Sequence, residues 1–442
     1  MDMKIEFDQL LTAMIVSSEG ASDLLFVVGR PPQVENHGKL MAFTPNADAP
    51  LLTSAGIEGW ARVIINENQR LIQDLAKAGS CDCSYQLEGV CRFRVNIYRQ
   101  SGNYAMVLRK LQTQIPSIEK LKLPPVFQQI IKEKNGVIFV TGGTGSGKTT
   151  TLAALLNEVN QTGEVHVVTL EDPIEFMHPH LKSTFSQREM GRDFFSFADG
   201  LRAALRQAPK VILVGEIRDR ETMEIALTAA ETGHVVYSTL HTISAAQTIN
   251  RILGMFNSDE EKQVRERLAE TLRYVISQRL VPRKEGGRLL VTELMGSNLR
   301  SREAIALGES ENRRLSDVIE AGSPAGWHTF EQSLIKAYEE DLITEETALL
   351  YCVNRTQMHQ RLDAARKRRA TSPAASTLKM KVAEQPAPKP RPVLPVPSQS
   401  PLPPSLPSQP HQVKPVGIKP MEIKPVEMKP VEVKPLETKP VQ

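Results

Sequence analysis

The stretch VIFVTGGTGSGKTTTL at residues 137–152 limits what this chain can become more than any other feature. Residues 137–140 form a short apolar run of the kind that makes a buried parallel strand. Gly142, Gly143, Thr144, Gly145, Ser146 and Gly147 follow, and Lys148 and Thr149 open an apolar helical stretch. The pattern G-x-x-x-x-G-K-[ST] is met in strand–loop–helix order, the context that separates a phosphate-binding loop from a chance Gly-rich turn. Glycines let backbone N–H groups approach phosphate oxygens, and the helix N-terminus adds its dipole. In such a loop Lys148 reaches the terminal phosphates and Thr149 holds Mg²⁺.

A length of 442 residues allows two or three domains. The net charge is +3, and residues 371–442, with ten Lys/Arg and five Asp/Glu, contribute +5 of it, leaving −2 for the rest. A near-neutral body gives no electrostatic case for nucleic acid as the main partner. Cys81, Cys83 and Cys91 cluster as C-x-C-x₇-C, but the spacing is not that of a zinc site and no fourth ligand is near in sequence. They read as free thiols of a reducing cytosol. No apolar run approaches the roughly 20 residues that span a bilayer, and no signal pattern opens the chain. A cytoplasmic protein is expected.

Residues 1–112 read as a small α+β domain. Residues 7–14, 57–65 and 67–78 have helical spacing, 23–29 is a strand, and 84–87 with 92–98 form a hairpin about Glu88-Gly89. Arg92, Arg94 and Arg109 then share one side of that domain, which by itself fits a solvated face. Residues 113–125, with Pro at both ends, are a linker. From 126 to 369 apolar strands at 137–140, 165–170, 211–214 and 235–239 alternate with helices, which implies a parallel sheet covered by helices. Ligands bind such sheets at the carboxyl ends of the strands. Those ends carry Glu171-Asp172 with Glu175, Glu216 with Asp219, and His241-Thr242. Carboxylates there would organise Mg²⁺ with its waters and orient an attacking water. His234 precedes the last strand, where a lone histidine is more often structural. Residues 194–206 read as an amphipathic helix with Phe195, Ala198, Leu201 and Leu205 inward, and residues 259–280, 301–305 and 330–351 as a helical C-terminal part. Residues 370–442 hold more than half of the chain's 30 prolines and repeat Lys-Pro every five residues. Such a segment is expected to be a disordered, partly polyproline-II tail, a spacer or a ligand for a proline-binding groove.

TGGTGSGKTT is followed by TLEDPIEF (169–176), SQREMGRD (186–193), LRQAPKVILVGEIRD (205–219), TAAETGHVVYSTLHT (228–242) and VISQRLVP (275–282). This combination resembles the secretion ATPases of the type II/type IV pilus superfamily. ASDLLF (21–26) and FRVNIYRQ (93–100) are similar to the twitching-motility retraction type, PilT/PilU. RQAP and RETMEIAL lean toward the PilU branch. Lys210 stands where the family has an acidic residue, and 298–309 lacks the AIRNLIRE-type helix of the retraction members. No tetracysteine loop follows the core, unlike the assembly relatives.

The resemblance implies an α/β fold: a RecA-like P-loop NTPase core behind a PAS-like N-terminal domain. It implies ATP hydrolysis with Mg²⁺. Glu171 matches the catalytic glutamate, Glu216 the Walker B glutamate acting on magnesium water, and His234 and His241 the His box. Arg94 and Arg109 match arginines offered to nucleotide across a subunit boundary. A homohexamer, or a mixed ring with a related retraction ATPase, would act on an inner-membrane pilus platform protein from the cytoplasmic face. The rivals are an assembly or type II secretion ATPase, a RecA-like nucleic-acid motor, and a nucleotide-binding scaffold that works through its tail.

Overall fold

The computed structural model describes residues 3–18, 20–44, 51–111 and 114–371. The tail expectation therefore lies outside the described residues, except for the end of the last helix. The N-terminal part contains α1 (Met3–Val16), β1 (Ala21–Phe26), β2 (Gln33–Asn36), β3 (Lys39–Ala42), α2 (Ser54–Ile65), α3 (Gln69–Lys77), β4 (Ser80–Leu87), β5 (Cys91–Gln100) and β6 (Asn103–Lys110). The strands form one antiparallel sheet in the order β3-β2-β1-β6-β5-β4. Alternation along β5 buries Phe93, Val95 and Ile97 and turns Arg92, Arg94 and Asn96 to the opposite face. The inward set packs with Phe7, Leu24, Phe26 and Ile57, and Phe7 stacks on Trp60 at 5.3 Å. Cys81 and Cys91 are buried in this core as free thiols.

The second part begins with α4 (Phe127–Ile130), β7 (Gly136–Thr141), α5 (Lys148–Thr162), β8 (His166–Glu171), β9 (Thr184–Glu189), α6 (Phe197–Ala204), β10 (Val211–Val214), α7 (Arg220–Glu231), β11 (Val235–Leu240) and α8 (Ala245–Leu253). It continues with α9 (Glu261–Thr271), β12 (Leu272–Pro282), β13 (Arg288–Gly296), α10 (Leu299–Leu307), α11 (Leu315–Ala321), α12 (Phe330–Glu339), α13 (Glu345–Tyr351) and α14 (Arg355–Thr371). The seven strands run β13-β12-β7-β11-β10-β8-β9. All are parallel except β13, which returns antiparallel along β12. Residues 114–125 are not a free connection. Leu121 and Leu123 amides bond back to Ser117 and Ile118 carbonyls, and Ile118 and Leu123 are buried with Val126 and Phe127 in the core of the second sheet.

Two expectations are corrected. The stretch 259–280 is helical only to Thr271; 272–282 is β12, paired in parallel with β7. The change comes where Leu272 leaves the helix with extended backbone, and Val275 and Ile276, both fully buried, fill the space beside the loop-bearing strand. Phe195 does not face inward: it is 77% exposed, since the helix begins only at Phe197 after the Ser196 cap, while Phe194 takes the buried place.

Candidate nucleotide-binding site

β7 sits inside the sheet, and its last residue hands the chain to the glycine loop. Gly142, Gly145 and Gly147 have φ of 145°, 75° and 89°. At Gly142 a side chain is excluded by space as well, because a Cβ would lie 2.5 Å from the Gln278 carbonyl. At Gly143, Gly145 and Gly147 the space a Cβ would take is open. The loop is thus pinned to β12 on one side and open on the other, the shape of an anion cradle. The Ser146 hydroxyl is buried without a hydrogen-bond partner. α5 starts at Lys148, whose Nζ donates to the carbonyls of Gly142 and Gly143 at 3.0 Å each. Burial pulls the Lys148 ammonium below the ordinary lysine range, opposed by Glu216 and Glu175. From beneath, Gln278 donates to Thr151 at 2.7 Å and Ser277 accepts from Thr141 at 3.0 Å.

The sheet order places β8, β10 and β11 so that their carboxyl ends face this loop. A cleft of about 360 Å³ there is lined by Thr144, Gly145, Lys148 and Thr149 on one side and Glu171, Glu216 and His241 on the other. Glu171 is buried. Its carboxyl accepts from Thr169 at 2.7 Å and Gln187 at 3.2 Å. Burial nonetheless pushes it up to about 7, against the lowering effect of those bonds and of the Glu175 amide. Glu216 pairs with Arg218 at 2.7 Å, and His241 Nε2 stands 3.7 Å from its other oxygen. Asp219 belongs to the fold instead: it caps α7 by accepting from the Thr222 amide at 2.8 Å.

Arg94 lines the same cleft, supplied by the chain's own N-terminal sheet. Arg109 lies across from Arg94 in the β5–β6 ladder, but its guanidinium bonds Asp23 at 2.8 Å and it is not part of the cleft wall. His234 is not brought to the cleft either. It precedes β11 at the amino end of the sheet, with Nδ1 3.0 Å from the Ala229 carbonyl, and six residues of strand, roughly 20 Å, separate it from His241.

Sequence reasoning passed over Gln187, which spans from Glu171 to the Phe176 carbonyl, and Arg218. The signal for Gln187 was the x-Q-x-E alternation in TFSQRE: on a strand it puts Gln187 and Glu189 on one face, beside Thr169 and Glu171 of β8. The donor set fits nucleotide with Mg²⁺: hydroxyl and carboxylate oxygens with backbone amides, all suited to a hard cation and phosphate. Among the described residues no group of three His, Cys, Asp or Glu forms a metal cage.

Residues 77–379 match the family described as Type II/IV secretion system protein. The chain belongs to this family. Among type II/IV secretion system proteins it is similar to the type IV pilus retraction ATPase PilT of Pseudomonas aeruginosa, 39% identical over 332 residues that cover 75% of this chain and 94% of the relative. It is also similar to the type IV pilus ATPase PilU of the same organism, 37% identical over 348 residues, 78% of this chain and 88% of PilU. The crystal structure of the pilus retraction motor PilT and bound ADP superposes with a TM-score of 0.70 at 41% identity, over 78% of this chain and 98% of that one.

Proposed function

We propose that this protein hydrolyses ATP to ADP and phosphate with Mg²⁺ and, as a hexameric ring, drives or assists retraction of a type IV pilus. The observation that carries the reading is the convergence of Lys148, Glu171, Glu216, His241 and Arg94 on one cleft, in a chain that spans 98% of a retraction motor's length with ADP bound. The glycine loop amides and Lys148 hold the phosphates. Mg²⁺ would be held by the Thr149 hydroxyl with Glu216 acting on its coordinated water, and would supply charge neutralisation on the phosphate oxygens. Glu171, with its carboxyl near neutral pH, orients the attacking water and takes its proton. Gln187 and Thr169 keep that carboxylate aimed. Arg94 and His241 offer positive charge or hydrogen bonds to the terminal phosphate.

The assembly reading is disfavoured because, after Cys91, the chain has only Cys352 and so no tetracysteine loop. Among the described residues no helix is long and apolar enough to cross a membrane. The ring is placed at the cytoplasmic face of the inner membrane, on the platform protein, alone or mixed with a related retraction ATPase. No nucleic-acid partner is assigned. A deletion strain scored for surface pili tests this: excess pili with lost twitching is expected. Excess pili only when a second retraction ATPase is also removed assigns the assisting role. Bald cells would overturn the proposal in favour of assembly.

A further inference from the structure

The outer face of the β4–β5 hairpin meets the end of β9 at a buried ion pair that the cleft chemistry does not use. Arg92 Nη2 donates to Glu189 Oε2 at 2.5 Å and to Ser84 Oγ at 2.6 Å, and Ser84 donates to Glu189 Oε1 at 2.5 Å. Both charged side chains are at most 10% exposed. Asn68, at the cap of α3, adds a bond to the Gly191 carbonyl at 3.2 Å. Apart from Arg92–Ser84, these bonds join the N-terminal part to the end of β9 and the residues just after it in the same chain. Glu189 has a further duty: its Oε2 accepts from the Ile174 amide at 3.1 Å, and in the β8–β9 ladder it sits directly beside Glu171. Arg94, two residues beyond Arg92 on the same face, is the residue that reaches the cleft.

We propose that Arg92 and Glu189 form a latch that holds the N-terminal domain over its own chain's cleft and so sets Arg94 at the phosphates while bracing the 171–175 segment. Arg92 touches no reacting atom; it is a positioning residue, and its effect on turnover rests on the reading of the cleft given above. The physical ground is asymmetric. In the intact pair each charge answers the other, although Arg92 Nε is buried without a partner, and removal of either residue leaves the other charge buried without its counter-ion, which is strongly unfavourable. The least costly relief is for the two faces to part and admit water, and parting withdraws Arg94.

The test uses the full-length protein with a donor and an acceptor fluorophore placed by unnatural amino acids at Glu88, on the hairpin turn, and Arg192, beyond β9. Arg92→Met and Glu189→Gln are each expected to lengthen the separation, measured without turnover. Each should lower kcat at least tenfold while KM for ATP changes less, because the phosphate loop is untouched. In an Arg94→Ala background, Arg92→Met should cost much less than it does alone, the remainder being the bracing of 171–175 through Glu189. An unchanged separation in both variants overturns the latch. So does a full, undiminished loss on adding Arg92→Met to Arg94→Ala, which would mark a general structural role. If the separation lengthens while neither Arg92→Met nor Arg94→Ala alters turnover, the latch stands and the role assigned to Arg94 fails.

Discussion

Lys148 and Glu171 are opposite charges held in the same cleft at a cost in solvation. Lys148 is the cation of the glycine loop, and its ammonium rests on two carbonyls of that loop. Lys148→Ala is expected to abolish hydrolysis in protein purified free of other ATPases; near-normal turnover would show that the site lies elsewhere. Glu171 allows a sharper expectation. Its folded carboxyl is raised from 4.5 to about 7 by burial. A raised acid is favourable to folding while protonated, and that contribution is lost as pH rises through the folded value. Above about pH 7 the ionised Glu171 therefore works against the fold, in the form that the proposed base needs. Glu171→Gln keeps the acceptor for Thr169 and Gln187, so it should be inactive yet melt higher than wild type at about pH 8, by about 1–2 °C for each kcal/mol relieved in a chain of this length. At about pH 4, below the unfolded value of 4.5, the two should melt together, since wild-type Glu171 is then protonated in the folded and the unfolded chain alike. An equal gain at both pH values would mean that something other than the charge is responsible. By the same sign, wild-type turnover should fall as pH drops below about 7, provided Glu171 is the base.

At the level of elements, the parts of the sequence that announced themselves were the ones whose apolar run stops at a polar cluster. β7, β8, β10 and β11 each carry a run of Val, Ile or Leu, are buried along nearly their whole length and lead into Gly142, Glu171, Gly215-Glu216 and His241. Periodicity found them, and the strand ends named Glu171, Glu216 and His241, which line one cleft. β9 was silent because TFSQRE is an edge strand with polar residues on both faces. β12 was silent for a different reason: it follows α9 with no Gly or Pro between, so local pattern continued the helix where the neighbouring strand decides otherwise. The Arg92–Glu189 pair could not be read at all, since it joins residues far apart in the chain through the docking of two sheets. That β12 is a core strand has a measurable consequence. Ile276 is fully buried against β7, so Ile276→Ala should destabilise by about 2–5 kcal/mol. Urea unfolding would show it as a lower midpoint with an unchanged slope. A loss under about 1 kcal/mol would mean that the core around β12 is loosely packed.

For the whole molecule, residues 372–442 have the composition of a segment that buries no core. Their removal should leave ATPase activity, ring formation and melting temperature unchanged; a clear drop in any of the three would mean that the tail docks on the body. The body itself has one stiff part. The strands that end in the glycine loop, in Glu216 and in Glu171 each have ladder partners on both sides. Such a plate cannot spread or shear without breaking backbone bonds in rows, so those three groups keep their spacing through a cycle and act as an anvil. The six-stranded domain above it is fastened by side chains, and its covalent tether runs only from Leu111, still in the ladder, to Ile118, buried in the plate's core. Seven steps of chain reach no farther than about 25 Å when fully drawn out. That length is a mechanical stop: it caps how far Leu111 can move from Ile118, so any parting of the two sheets must be a swing about a short tether.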